Sequence, residues 1–155
     1  MKKSIILFSF LTLLGTAVFG QNDFNILEQP LPYQKYASSF TTDIIGTNES
    51  FVIYNWQKFI EKHKGTTYLI SYGQGDVEFE SEHVTLPFLN NKSVTLHSRV
   101  SPNVSKTGVL LTIWIEMENG EYFSGKTDKD AATKIKQWLR DFDQQLMDKN
   151  NVFKN

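Results

Sequence analysis

From Thr66 to Gly125 the apolar residues recur at every second position, and turn residues fall where that alternation needs a break. Side chains on a strand point to opposite faces in turn, so a long period-two stretch with regular turns reads as an antiparallel meander. Tyr68, Ile70 and Tyr72 are expected to face Ser81, Phe79 and Val77 across the Gly73–Asp76 turn. Val94, Leu96 and Val100 are expected opposite Ile115, Ile113 and Val109. Asn119-Gly120 carries the strongest two-residue hairpin signal, because both residues accept positive φ, and it sets Met117 against Tyr122. About five strands result.

Helices flank this meander. Asn48 can cap a helix whose stripe is Val52, Trp56, Phe59, Ile60 and His63, and Gly65 is placed to end it in the left-handed conformation. Thr127 with Asp130 resembles a capping box, Asp128 and Asp130 suit the positive end of the helix dipole, and Ala131, Ile135, Trp138, Leu139, Phe142 and Leu146 form one apolar face. A further strand is expected over Ser39–Ile45. The fold class expected is α+β: two layers, an antiparallel sheet of about five to six strands, and two helices packed on one face.

The first twenty residues read as an address. Lys2 and Lys3, the apolar run Ile5–Leu14 and the small-residue exit Gly15–Gly20 follow the order of a secretory signal peptide. The run is too short and too interrupted for a spanning helix, which needs about 20 apolar residues. The expected division is a signal peptide at 1–20, an extended lead-in at 21–37 containing Pro30 and Pro32, a single domain at 38–150 and a tail at 151–155. The expected destination is therefore the periplasm or the extracellular space, with no membrane anchor after cleavage.

Composition removes several chemistries. Zero cysteines exclude disulfides, thiol catalysis and cysteine zinc sites. Without Lys2 and Lys3 the chain carries 14 basic and 17 acidic residues, a net −3 that argues against nucleic acid as a partner. No phosphate-cradling glycine loop, nucleophile elbow or metalloprotease helix signature is present. No catalytic residue, metal or cofactor is expected.

The stretch Asp76-Val-Glu-Phe-Glu-Ser-Glu-His83 comes closest to a chemical motif. With Val77 and Phe79 turned inward, Asp76, Glu78 and Glu80 face solvent, as expected of the wet side of such a sheet. Val84 and Leu86 have the opposite parity, so a β-bulge is expected near Glu82-His83, placing Glu80 opposite Arg99. A metal site using Glu78, Glu80, Glu82, His83 and His97 is the competing reading. It is disfavoured because alternate strand residues lie about 6.6 Å apart. His63 reads as a boundary residue of its helix stripe. The glycosylation-type triplets at Asn48, Asn91 and Asn103 are expected in exposed turns.

The outer face of the meander is expected to display Leu69, Glu80, Thr95, His97, Arg99, Leu110, Thr112, Trp114 and Phe123, with His97 across from Thr112 and Trp114 across from Thr95. His97, Arg99, Thr112 and Trp114 form the candidate binding face. It is either open to a partner or covered by the lead-in, a loop or a second copy of the chain.

The segment Trp56-Gln-Lys-Phe59-Ile-Glu-Lys-His-Lys-Gly65, the strand with Thr112-Ile-Trp114 and the long C-terminal helix resemble a family of small exported bacterial proteins of uncharacterised activity. The resemblance implies the same architecture and transfers no catalytic residue. The leading expectation is an exported, non-catalytic binding domain for an unknown protein or small ligand. The alternatives are a carrier enclosing an apolar ligand against Trp138, Phe142, Ile113 and Phe79, and a small metal-dependent hydrolase using the acidic strand.

Overall fold

The fold is described from a computed structural model, in which residues 25–73 and 75–152 are placed. The expected leader at 1–20 lies outside these residues. Strands β1 (Leu27–Pro32) and β2 (Tyr36–Ile45) precede helix α1 (Glu49–Lys62); β3 (Thr66–Gly73), β4 (Asp76–Thr85), β5 (Ser93–Pro102) and β6 (Gly108–Glu116) follow, and α2 (Lys129–Val152) closes the chain. The six strands form one antiparallel sheet in the order β1-β2-β6-β5-β4-β3. This is the expected α+β class. Within the expected lead-in, Leu27–Pro32 is extended and pairs with β2 as an edge strand of the sheet.

One face of the sheet packs on the helices. Phe40, Ile44, Phe79, Leu96, Val100, Leu111 and Ile113 meet Val52, Trp56, Ile60, Ile135, Leu139 and Phe142 in one core. Trp56 is its centre, with ring centroids 5.8 Å from Phe59, 5.5 Å from Trp138 and 5.0 Å from Phe142. Its Nε1 donates to Ser98 Oγ at 3.0 Å. These rings fill the space beside Phe79 and Ile113 that an apolar cargo would need.

Asn48 caps α1 as expected, accepting from the Phe51 amide at 3.0 Å. Gly65 ends the helix for a different reason. Lys64, at φ 65°, takes the left-handed conformation. A Cβ on Gly65 would sit 2.5 Å from Ile60 Cγ2 and 2.7 Å from Val84 Cγ2, so what the position demands is room. At α2 the cap is Asp128, whose Oδ1 accepts from the Ala131 amide at 2.9 Å, while Thr127 bonds back to the Ser124 carbonyl. His63 is more than a boundary: Trp138 Nε1 donates to its Nε2 at 3.0 Å. Burial, opposed by a hydrogen bond with the Thr85 backbone, holds its pKa below the ordinary value.

Four registers differ from expectation, and in the first two a loop side chain or a buried loop residue resets the turn. In β5–β6 Leu96 faces Ile115 and Val100 faces Leu111, a shift of two residues. The turn is built on Asn103, whose Oδ1 accepts from Thr107 N at 3.0 Å and Gly108 N at 3.2 Å and whose Nδ2 donates to Asp43 Oδ1 at 3.0 Å. Asn103 is therefore buried, not in an exposed turn. In β4–β5 the bulge falls between Ser81 and Val84, as expected, and His83 has φ 58°. Leu86, however, leaves the ladder and plugs the core with Leu89 around the turn Pro87–Leu89. Val84 consequently faces Val94, and Glu80 faces His97 rather than Arg99.

The third change is at Asn119-Gly120. Only Gly120 has positive φ, and Glu116 rather than Met117 opposes Tyr122. That one-residue slip turns Phe123 from the outer face into the core. In β3–β4 Tyr72 faces Val77 as expected, but a bulge at Ile70 places Leu69 rather than Ile70 opposite Phe79 and Tyr68 opposite Glu80 rather than Ser81, which moves Leu69 off the expected outer face.

Candidate functional site

The outer sheet face, away from the helices, carries a polar grouping that spans three strands. The corrected registers align two rows across three strands: Glu80, His97 and Trp114, and beside them Glu78, Arg99 and Thr112. The four residues of the expected face, His97, Arg99, Thr112 and Trp114, are thus immediate neighbours. Arg99 binds Glu78 through Nε at 2.8 Å and Nη2 at 2.7 Å, and its guanidinium lies 5.1 Å from the Trp114 ring centre. Thr112 Oγ1 and Thr41 Oγ1 share a hydrogen bond of 2.9 Å.

His97 sits between two carboxylates. Its Nε2 is 2.7 Å from Glu116 Oε2 and its Nδ1 3.3 Å from Glu80 Oε2. A neutral ring has one N–H, and the shorter contact places it on Nε2. Nδ1 then faces Glu80 without a hydrogen bond of good geometry, in a residue only 1% exposed.

The turn between β1 and β2 forms the lid. The Tyr33 ring lies 4.5 Å from His97 and 5.2 Å from Trp114. Trp114 Nε1 donates to the Leu31 carbonyl at 3.3 Å, and Arg99 Nη2 to the Pro32 carbonyl at 3.4 Å. Lys35 reaches the Gly120 carbonyl and lies over the Tyr122 ring. Of the two readings offered for this face, coverage by the lead-in is the one found at Trp114. Tyr33→Ala is expected to uncover that indole, destabilising the fold by about 1 kcal/mol and raising the fraction of tryptophan fluorescence open to acrylamide quenching. Unchanged quenching would mean that Tyr33 does not shield Trp114.

Beside the lid lies an open cleft of about 650 Å³, lined by Glu80, Glu82, Glu116 and Glu118, by His83 and His97, and by Gln34, Ser93 and Thr95 among others, with no Lys or Arg of the described residues in its wall. The negative character reaches its neighbours. Tyr122 is pushed up to about 12, first by burial and then by Glu116, and Tyr33 is raised by burial and then by Glu78 and Glu80. Among the described residues, no three His, Asp or Glu side chains are arranged to share a metal ion.

Glu116, Tyr33 and Tyr122 escaped the sequence reading. Glu116 shares parity with Trp114, so its place on this face was readable two residues along the same strand. Tyr33 sits in a proline-bearing stretch with no alternation to assign it a side.

No family model, curated protein or solved structure matches the chain. The molecule is defined by its own features, a two-layer α+β domain with an acidic cleft on the free face of its sheet.

Proposed function

We propose that the chain is an exported, non-catalytic binding domain whose outer cleft takes a small cationic ligand, such as an amine or guanidinium compound. The observation that carries this reading is the wall of the cleft: four glutamates line it, and among the described residues no Lys or Arg does. Glu78, by contrast, is already neutralised by Arg99. An organic cation entering the cleft would gain charge-assisted hydrogen bonds, and the hydroxyl and amide groups of Ser93, Thr95 and Gln34 offer orienting contacts. The basic, apolar, small order of residues 1–20 supports export.

The test is calorimetric titration with spermidine and with arginine, beside an uncharged sugar as control. Saturable, salt-sensitive binding of the cations is expected. Glu82→Gln with Glu118→Gln is expected to weaken it at least tenfold while leaving the melting temperature unchanged, because both side chains lie at the accessible rim. Equal binding of the neutral sugar, or no binding of any cation, would remove the reading.

A further inference from the structure

Among the described residues the sheet has two unpaired edges, β1 and β3, and they are built differently. The six residues of β1, Leu-Glu-Gln-Pro-Leu-Pro, include two prolines and a carboxylate. Proline lacks the N–H that a ladder needs, so this edge resists an added strand. The eight residues of β3, Thr-Thr-Tyr-Leu-Ile-Ser-Tyr-Gly, contain neither proline nor charge. Four large side chains stand exposed on that short strand: Tyr68 at 49%, Leu69 at 61%, Ile70 at 50% and Tyr72 at 82%. Natural sheets protect their edges with charge or proline, and β3 has neither.

We propose that β3 is the seam of a symmetric dimer, in which β3 of one copy pairs antiparallel with β3 of a second. The geometry selects this occupant. An uncharged strand meets its own copy without repulsion, and isologous antiparallel pairing is self-complementary. A twofold axis normal to the sheet keeps both helical layers on one side. Leu69 and Tyr72 oppose Phe79 and Val77, whose side chains point to that same side, so both copies bring them into the valley between the two helical layers. The bulge at Ile70 twists β3 without charging or blocking it, and seven of its residues remain in register with β4. The prolines of β1 prevent β3 from adding to the opposite edge of another copy. Assembly therefore closes at two rather than growing into a fibre.

Sedimentation equilibrium and light scattering of the purified chain, from low micromolar to near-millimolar concentration, test the proposal. A reversible monomer–dimer equilibrium is expected, with β3 amides slowing in hydrogen exchange as the dimer fills. Ile70→Lys with Tyr72→Lys is expected to give a monomer of unchanged circular dichroism, since both residues are at least half exposed in the single copy. A monomer throughout the range, open-ended oligomers, or a dimer that survives both lysines would each overturn it.

Discussion

Replacing Asp143 with Asn is expected to raise stability at pH 7 by up to about 3 kcal/mol, the equivalent of moving a carboxyl pKa from its ordinary value to about 6. Asp143 lies on α2 and is 1% exposed. Burial, the largest cause, pushes its pKa up to about 6; the nearby Asp43 carboxylate adds to the rise and the Thr42 hydroxyl opposes it. Neither Thr42 Oγ1 nor Asp143 Oδ2 makes a well-formed hydrogen bond, so the ionised carboxylate is poorly compensated. The folded pKa lies above the unfolded value of 3.8. Below about 4 both states hold the proton and burial carries no ionisation penalty. Between about 4 and 6 the unfolded state loses its proton first, so each pH step upward lowers stability, by about 1.4 kcal/mol per pH unit.

Asn keeps the shape and cannot ionise. His63 acts in the opposite sense: its lowered pKa costs stability as pH falls below its ordinary value of 6.5. The informative quantity is therefore the difference between the two proteins in urea unfolding from pH 4 to 8. That difference should open between pH 4 and 6 and stay constant above. Parallel curves across the range would show that Asp143 is not held neutral by its surroundings.

Trp56→Ala is expected to cost about 4 kcal/mol, a large share of the stability of a domain this size. The side chain is fully buried and touches three aromatic rings, so its loss leaves a cavity bounded by Phe59, Trp138 and Phe142. It also strands the Ser98 hydroxyl, which then lacks the indole donor in a residue 1% exposed. Trp56→Phe keeps most of the packing and loses only the hydrogen bond and part of the volume, so roughly half the effect is expected. Chemical denaturation of the three proteins checks the order. A loss below about 1 kcal/mol for the alanine variant would mean that the core collapses around the gap, contrary to its packing.

The elements of this fold were legible because periodicity reports on each segment by itself. The stripe Val52–Trp56–Phe59–Ile60 placed α1, and the alternation around Val77 and Phe79 turned Glu78 and Glu80 outward. Register was less legible because it is set in loops. Asn103 folds its amide back onto Thr107 and Gly108 and shifts β6 by two residues. Leu86 is spent on the core instead of the ladder. These displacements preserve each face, which is why His97, Arg99, Thr112 and Trp114 still fall together. They exchange partners, however, and so the glutamates on either side of His97 could not be read from spacing. At Asn119-Gly120 the slip is odd, and Phe123 changed sides.

The strand order has a consequence for how the chain assembles. Along the sheet, β2 touches only β1 and β6, so Phe40 must wait for Ile113 before the first hairpin has anywhere to dock. A nascent chain halted before Gly108 would hold two fragments of sheet with no ladder bond between them. The meander can zip from neighbour to neighbour, whereas this single long-range closure bears most of the loop entropy. Until that last ribbon slides home, Trp114 has no roof and the acidic hollow lacks one wall.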